Sequence, residues 1–349
     1  MPAVRSKLRQ LWLGVRGWVL HLLPKPVSVP LQADRIHRIL LIRLDRLGDV
    51  VLTSALLKPL HQLFPHAQVD IWVKPAFAPL FKAHPYLRQV HTVRPDADYD
   101  LVIDPVLDDP LEGARRAASF AAPWTMGFDV AGRGRWFNLC LPPPAKDEPF
   151  LHSLLRLLRM LGYAGEIEPP RLAVSDKERR QARGLLGHGK PLALLHPGAH
   201  YPSQRWPAAH FAQLSDMLTN GGCHVAVIGA AGDRPVVDAI RSQVRGKKHF
   251  AVIRDQPLRI MMALMAEAAV VVANNSGPLH LAGALGVPTV STLGPTNPVI
   301  WWPVGEKQTV LQDSGCCHCG RGVCSRHCLE RIRPETMLTA VRTLLQGAC

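Results

Sequence analysis

The stretch IHRILLIRLDRLGDVVLTSALLKPLHQLF, residues 36–64, decides the architecture. It opens with Ile36–Arg43, where Ile36, Ile39, Leu40, Leu41 and Ile42 form a nearly continuous apolar run. A run of that kind, without strict alternation, suits a strand buried on both faces of a parallel sheet. The turn Asp45-Arg46-Leu47-Gly48 follows, and the spacing predicts a helix from Asp49 to Phe64. Strand, tight turn and helix in that order make the unit from which α/β folds are built.

The same unit recurs outward from this point. Val69–Val73 and Leu101–Ile103 read as further strands, the second ending at Asp104, before Leu141–Pro149 with its three consecutive prolines breaks the pattern. After a helix near Leu151–Leu161 the alternation restarts with strands at Leu192–Leu195, Val225–Ile228, Val270–Ala273 and Thr289–Leu293, and helices at Ala208–Leu218 and Gly277–Leu285. A chain of 349 residues exceeds one ordinary core. The expected fold is therefore α/β, two doubly wound Rossmann-like domains facing across a cleft, with residues 31–165 in the first and 166–349 in the second. Ligands are expected at the carboxyl ends of the strands.

Residues 1–30 read as an appendage. Leu8, Leu11, Trp12, Val15, Trp18, Val19, Leu22 and Leu23 recur at helical spacing, and Arg5, Lys7, Arg9, Arg16 and Lys25 are opposed by no acid. Pro24, Pro26 and Pro30 end the helix. One reading is an interfacial helix on an anionic membrane, and the other is a helix packed on the body of the protein; the proline-rich connector favours the first.

The chain carries 41 Lys and Arg against 27 Asp and Glu, a formal charge of +14. Such a surplus points to an anionic partner: nucleic acid, a phosphorylated substrate or an acidic membrane. No basic run is interleaved with aromatic residues, and no zinc-finger or helix-turn-helix pattern occurs, which argues against nucleic acid. No apolar run reaches the roughly 18 residues of a membrane-spanning helix. Arg16 interrupts the N-terminal apolar stretch and no cleavage site follows it, so a signal peptide is not expected. Five of the eight cysteines crowd between Cys316 and Cys328, a local cluster rather than a secreted disulfide framework. The expected location is the cytoplasm, at the inner face of its membrane.

Four segments carry chemistry. In Arg43–Val51, Gly48 allows a tight turn and Asp49 stands at or near the helix start, where the dipole favours its ionised form. It is then either a general base or simply an N-cap, and Asp45 competes with it on the same loop. In Asn274–His280, Asn275 is positioned to cap, Ser276 and Gly277 offer main-chain amides, Pro278 suits the first turn and His280 lies within it. That arrangement is a site for a diphosphate or a capped helix with a buried histidine. His196-Pro197-Gly198 follows a strand, with Gly198 permitting close backbone approach, and Gln204 and Arg205 come a few residues later. Gly229–Asp233 ends a third strand, and Asp233 is placed to hold a ribose.

Together these segments identify a resemblance to glycosyltransferase family 9, the ADP-heptose:lipopolysaccharide heptosyltransferases. It rests on LLIRLDRLGDVVLTSALLKPL (40–60), LLHPGAHYPSQRWPAAHFAQL (194–214), GAAGD (229–233) and NNSGPLHLAGALGVPTVSTLGPTNPVIWWPVG (274–305), and extends from Ile39 to Ile332. The resemblance implies a GT-B fold and an inverting, metal-independent transfer from a nucleotide-sugar, ADP-heptose, with no cofactor. It implies Asp49 as general base, an acceptor site in the first domain and a donor site in the second. The acceptor implied is a lipid-linked, phosphorylated or acidic lipopolysaccharide inner core. Arg43, Arg46, Arg115 and Arg116 are the candidates for holding its anionic groups. Two positions depart from the family's habit: Gln204 stands where Lys is common, and Asn275 where Asp is common. Arg205 or Arg259 would have to supply the missing cation. The departures leave open a family 9 enzyme with another nucleotide-sugar, or a non-catalytic glycolipid-binding relative.

Cys316, Cys319, Cys324 and Cys328 are dense enough for a tetrahedral structural zinc site, or are thiols that order a loop. No catalytic metal is expected.

Overall fold

The computed structural model describes residues 2–22, 30–186, 192–316, 319 and 326–345. The chain divides into two compact units, Met1–Pro169 and Pro170–Cys349.

The N-terminal unit begins with helix α1 (Pro2–His21) and continues through β1 (Arg38–Arg43), α2 (Leu47–Thr53), α3 (Leu57–Leu63), β2 (Gln68–Val73), β3 (Gln89–His91), β4 (Leu101–Asp104), α4 (Leu111–Ala118), β5 (Trp124–Phe128), β6 (Leu139–Leu141) and α5 (Phe150–Met160). Its strands form one parallel sheet in the order β3-β2-β1-β4-β5-β6. β1 lies at the centre, with Ile39 in register with Val69 on one side and Leu101 on the other. Ile39, Leu40, Leu41 and Ile42 are at most 2% exposed, which is the continuous burial that their sequence predicts.

The long helix expected over Asp49–Phe64 is broken. A 3-10 turn at Ser54–Leu56 separates α2 from α3. Pro59 lies in the first turn of α3, has no amide proton and crowds the carbonyl four residues earlier, at Ala55, so an unbroken α-helix cannot pass through it. Gly48 is not a left-handed turn residue either: it is the buried second residue of α2 and is absent from the positive-φ glycines. The proline-rich break at 141–149 begins with the short strand β6.

The C-terminal unit contains α6 (Asp176–Leu186), β7 (Leu192–His196), α7 (Ala208–Asn220), β8 (His224–Gly229), α8 (Arg234–Gln243), β9 (Phe250–Arg254), α9 (Leu258–Ala266), β10 (Val270–Asn274), α10 (Gly277–Ala284), β11 (Thr289–Thr292), α11 (Pro298–Trp301), β12 (Gln308–Leu311) and α12 (Pro334–Leu345). Its parallel sheet runs β12-β11-β10-β7-β8-β9, the same order read from the opposite edge. On one face α7 and α12 pack through Phe211, Leu218, Met337 and Val341 against Val225, Val227 and Val272, each at most 1% exposed. Trp206 is buried beside them, and its Nε1 donates to the Ile332 carbonyl at 2.9 Å, so the one polar atom of a large ring is satisfied. α6 is fastened to α9 by Glu178 and Arg259, whose Nε and Nη2 lie 2.9 and 2.6 Å from the two carboxylate oxygens. Among the described residues no helix is long and apolar enough to cross a membrane.

Candidate active site

In a doubly wound sheet the ligand crevice opens where the strand order reverses, at the carboxyl ends of the strands. The reversal falls between β1 and β4 in the N-terminal unit, and between β7 and β10 in the C-terminal unit. The residues at those ends are Arg43 and Asp104, and His196 and Asn274.

Arg43 is 2% exposed. Its Nε stands 2.8 Å from Oδ1 of Asp45, its Nη2 3.3 Å from Oδ1 of Asp49, and its Nη1 donates to the Pro105 carbonyl at 3.0 Å. Phe150 lies against the guanidinium, 5.6 Å from ring centre to Cζ. Arg43 was expected to reach out to the acceptor. It is instead buried beneath two carboxylates, because a guanidinium at this depth requires opposite charge and acceptors within the protein.

Asp49 is the third residue of α2, whose N-cap position is held by Arg46 without a side-chain cap bond. The carboxylate therefore does not act as an N-cap, yet it sits in the first turn, where the amides and helix dipole favour negative charge. Its side chain is 13% exposed. Asp45, on the turn before the helix, is more open at 29%. Burial pushes its carboxyl up to about 6; Arg43 opposes the rise, while Asp49 and Asp104 add to it.

Asp104 and Arg133 form an ion pair with both side chains fully buried. Asp104 also accepts from the Val106 amide at 3.2 Å, while Arg133 Nη1 donates to the carbonyls of Val106 and Asp108. The loop after β4 is thus tied down by its main chain. Gly113 of α4 sits over the pair, where a Cβ would stand 2.7 Å from Asp104 Oδ2. Of the other arginines, Arg46 is exposed at the start of α2 beside the two aspartates. Arg115 lies over the Trp136 ring at 5.3 Å, and Arg116 pairs with Glu112 one turn away along α4.

In the C-terminal unit Asn274 joins three segments. Its Oδ1 accepts from the Trp206 amide at 3.0 Å and from Thr292 Oγ1 at 3.1 Å, and its Nδ2 donates to the Pro197 carbonyl at 2.6 Å. The next residue, Asn275, is 8% exposed, and the N-cap position of α10 falls to Ser276, whose hydroxyl donates to the Asn274 carbonyl at 3.2 Å. Asn275 is therefore not the cap that its sequence suggests. Gly277 is the first residue of α10, and His280 is buried in the same turn.

His196 ends β7 at 5% exposure; burial pushes its pKa down, against the pull of Asp233, whose Oδ2 is 3.7 Å from Nε2. Asp233 was expected to hold a ribose. Its carboxylate turns back instead, accepting from the Ala230 amide at 3.1 Å and filling the space where Gly198 would carry a side chain. The close approach at Gly198 is thus made by Asp233. Gln204 is buried, and its Nε2 donates to Thr296 Oγ1 at 2.8 Å. Arg205 is exposed, with its Nε given to the Ala199 carbonyl at 2.9 Å. Arg259 is held by Glu178 and does not supply a cation here.

Asp104, Arg133, Asn274 and Thr296 were not singled out in the sequence. Asp104 and Asn274 carry one usable signal, since each is a polar residue closing an apolar strand. The Cys316 thiol donates to the Gly294 carbonyl at 3.1 Å and Cys328 is buried. Cys317, His318 and Cys324 lie outside the described residues, and among the described residues no group of three His, Cys, Asp or Glu is disposed to hold a metal.

Comparison with known proteins matches this arrangement to one family. Residues 88–330 fit the pattern of glycosyltransferase family 9 (heptosyltransferase), which is more than half of the chain. Lipooligosaccharide heptosyltransferase 2 of Haemophilus influenzae is 33% identical over 174 residues, covering 49% of this chain and 47% of that protein, so the match spans about half of that relative's length. Lipopolysaccharide heptosyltransferase 1 of Pseudomonas aeruginosa is 24% identical over 361 residues, covering 88% of this chain and 98% of that one. Among solved structures, the Escherichia coli ADP-heptose lps heptosyltransferase II superposes with a TM-score of 0.74 at 21% identity, over 88% of this chain and 98% of that one. A family 9 glycosyl transferase from Veillonella parvula gives 0.78 at 22% identity, over 89% and 97%. The chain belongs to glycosyltransferase family 9.

Proposed function

We propose that the protein transfers heptose from ADP-heptose to a hydroxyl of a lipopolysaccharide inner core, with inversion, at the cytoplasmic face of an anionic membrane. The observation that carries the proposal is Asp49: a carboxylate in the first turn of α2, 13% exposed and steadied at one oxygen by a buried guanidinium. Its relatives in the family are named as heptosyltransferases.

In this reading Asp49 takes the proton of the acceptor hydroxyl while that oxygen attacks the anomeric carbon from the face opposite the leaving ADP. The bond from the anomeric carbon to the diphosphate oxygen breaks as the new glycosidic bond forms. The charge that grows on the diphosphate is met by the first amides of α10, near Ser276 and Gly277, and by the exposed Arg205. Gln204 contributes a neutral amide there, not a cation. Arg46, Arg115 and Arg116 are the acceptor-side cations in this scheme, and Arg43 is the support of Asp49.

The test is incubation with ADP-heptose, and in parallel with other nucleotide-sugars, in the presence of truncated lipopolysaccharide cores. ADP release that requires both substrates, together with a mass increase of one heptose on the acceptor, is the expected result. Release from a different nucleotide-sugar alone would reassign the donor, and absence of turnover with all of them would reject the transferase reading.

A further inference from the structure

Helix α1 has two opposite faces. On one, Arg16 Nη2 donates to the Asp109 carbonyl at 2.7 Å and Nε to the Ala131 carbonyl at 3.2 Å. Gly17 lies against Ala131, where a Cβ would be 3.5 Å from the main chain, and Leu20 occupies the space above Gly132. His21 stands 3.6 Å from Asp129. On the other face Leu11, Trp12, Val15, Trp18, Val19 and Leu22 are 46–67% exposed. The helix is thus packed on the N-terminal unit through Arg16, Gly17, Leu20 and His21, and the part of the apolar stripe from Leu11 to Leu22 is left uncovered.

The docked face reaches a loop that matters. Between β4 and α4, the carbonyls of residues 105, 106, 108 and 109 are each held by an arginine: Pro105 by Arg43, Val106 and Asp108 by Arg133, and Asp109 by Arg16. Arg43 is the same residue that steadies Asp49. One end of this loop therefore rests on the support of the proposed base, and the other on α1.

We propose that α1 seats the N-terminal unit on an anionic bilayer through its uncovered face, and that Arg16 couples this seat to the loop 105–109. The inference rests on the transferase reading only for its consequence, presentation of a membrane-embedded acceptor beside Asp49. A bilayer is the occupant favoured over a second copy of the chain by charge. Besides the docked Arg16, residues 1–30 hold four Lys and Arg and no acid, so two copies meeting along α1 would oppose like charges, whereas acidic headgroups would neutralise them. Trp12 and Trp18 suit the headgroup level, and α1 lies among the helices unable to cross.

The test uses the full chain with phosphatidylcholine vesicles, with and without phosphatidylglycerol, followed by sedimentation and by hydrogen exchange at the amides of 106–109. Wild type should sediment with the anionic vesicles only, and its loop amides should then exchange on the order of tenfold more slowly. A Trp12→Glu/Trp18→Glu variant should lose both effects. Arg16→Gln should sediment as wild type does but show no slowing, which separates the coupling from the seat; circular dichroism checks that both variants stay folded. Unchanged exchange in bound wild type, or slowing that persists in Arg16→Gln, would overturn the coupling. Failure to bind anionic vesicles, with a dimer in gel filtration that the double Trp variant abolishes, would assign the face to a second copy. No step here uses a sugar substrate, so failure of the transferase assay leaves this result to be read independently.

Discussion

Arg43 Nη2 lies 3.3 Å from Oδ1 of Asp49, while the Nε of the same guanidinium is 2.8 Å from Asp45. One buried cation therefore serves two carboxylates and, through Pro105, the loop after β4. Removing it by Arg43→Met leaves two acids facing one another without compensation, and the expected loss of stability is about 3–5 kcal/mol. Arg43→Lys keeps the charge but not the planar fork, so it should fold and still lose activity. Denaturant unfolding of both variants beside turnover of the lysine form checks this; a fully active Arg43→Lys would show that charge alone suffices.

Asp49→Asn retains the size and hydrogen-bonding capacity of the side chain and removes its basicity. Turnover is expected to fall roughly a hundred- to ten-thousand-fold, with the donor dissociation constant unchanged. Because Asp49 makes no cap bond, a loss of helix stability cannot be the cause of such a fall. Near-normal turnover would transfer the role to Asp45.

Asp45 gives a pH-dependent prediction. Its carboxyl is raised from 3.8 to about 6, chiefly by burial. The folded state thus binds this proton more tightly than the unfolded chain does. The stabilisation is complete below about 4, and is lost as pH rises through about 6. Asp45→Asn should therefore stabilise the protein at pH 8 by about 1–3 kcal/mol, and hardly at all near pH 4. Urea midpoints of the two proteins across that range provide the measurement; a constant difference would mean that the ionisation of Asp45 is not responsible.

Gln204 donates to Thr296 from a buried position at the edge where the diphosphate is placed in our reading. Gln204→Lys puts a cation there, and is expected to tighten ADP binding on the order of tenfold. Calorimetric titration of ADP measures it. Weaker or equal binding would place the diphosphate away from this loop.

Much of the fold was readable because its central strands are buried on both sides. β1, β7, β8 and β10 announce themselves as apolar runs. The strands that escaped notice have physical reasons to do so. β3 and β6 are three residues long, β9 is fully buried at one of its five positions and β12 at none of its four, and β5 contains Gly127, whose missing side chain makes room for Phe137. Asp49 stood out through its place after a strand. Arg43 was read as a cation for the acceptor and not as the support of Asp49, since its partner Pro105 is 62 residues away and an arginine at a strand end reads as a surface residue. Asn274 and Asn275 are adjacent, and only the pleat of β10 makes the first the residue that joins the loops.

The two sheets share one strand order, but their seams are closed by different chemistry. The N-terminal seam is ionic, built from Arg43, Asp45, Asp49, Asp104 and Arg133; the C-terminal seam is held by the amides of Asn274 and Gln204, beside a histidine whose pKa burial lowers. Carboxyl groups ionise within the ordinary pH range, whereas side-chain amides do not. Acidification therefore reaches the N-terminal seam through Asp45, whose carboxyl is raised to about 6, while the side-chain amides of the C-terminal seam keep their hydrogen bonds.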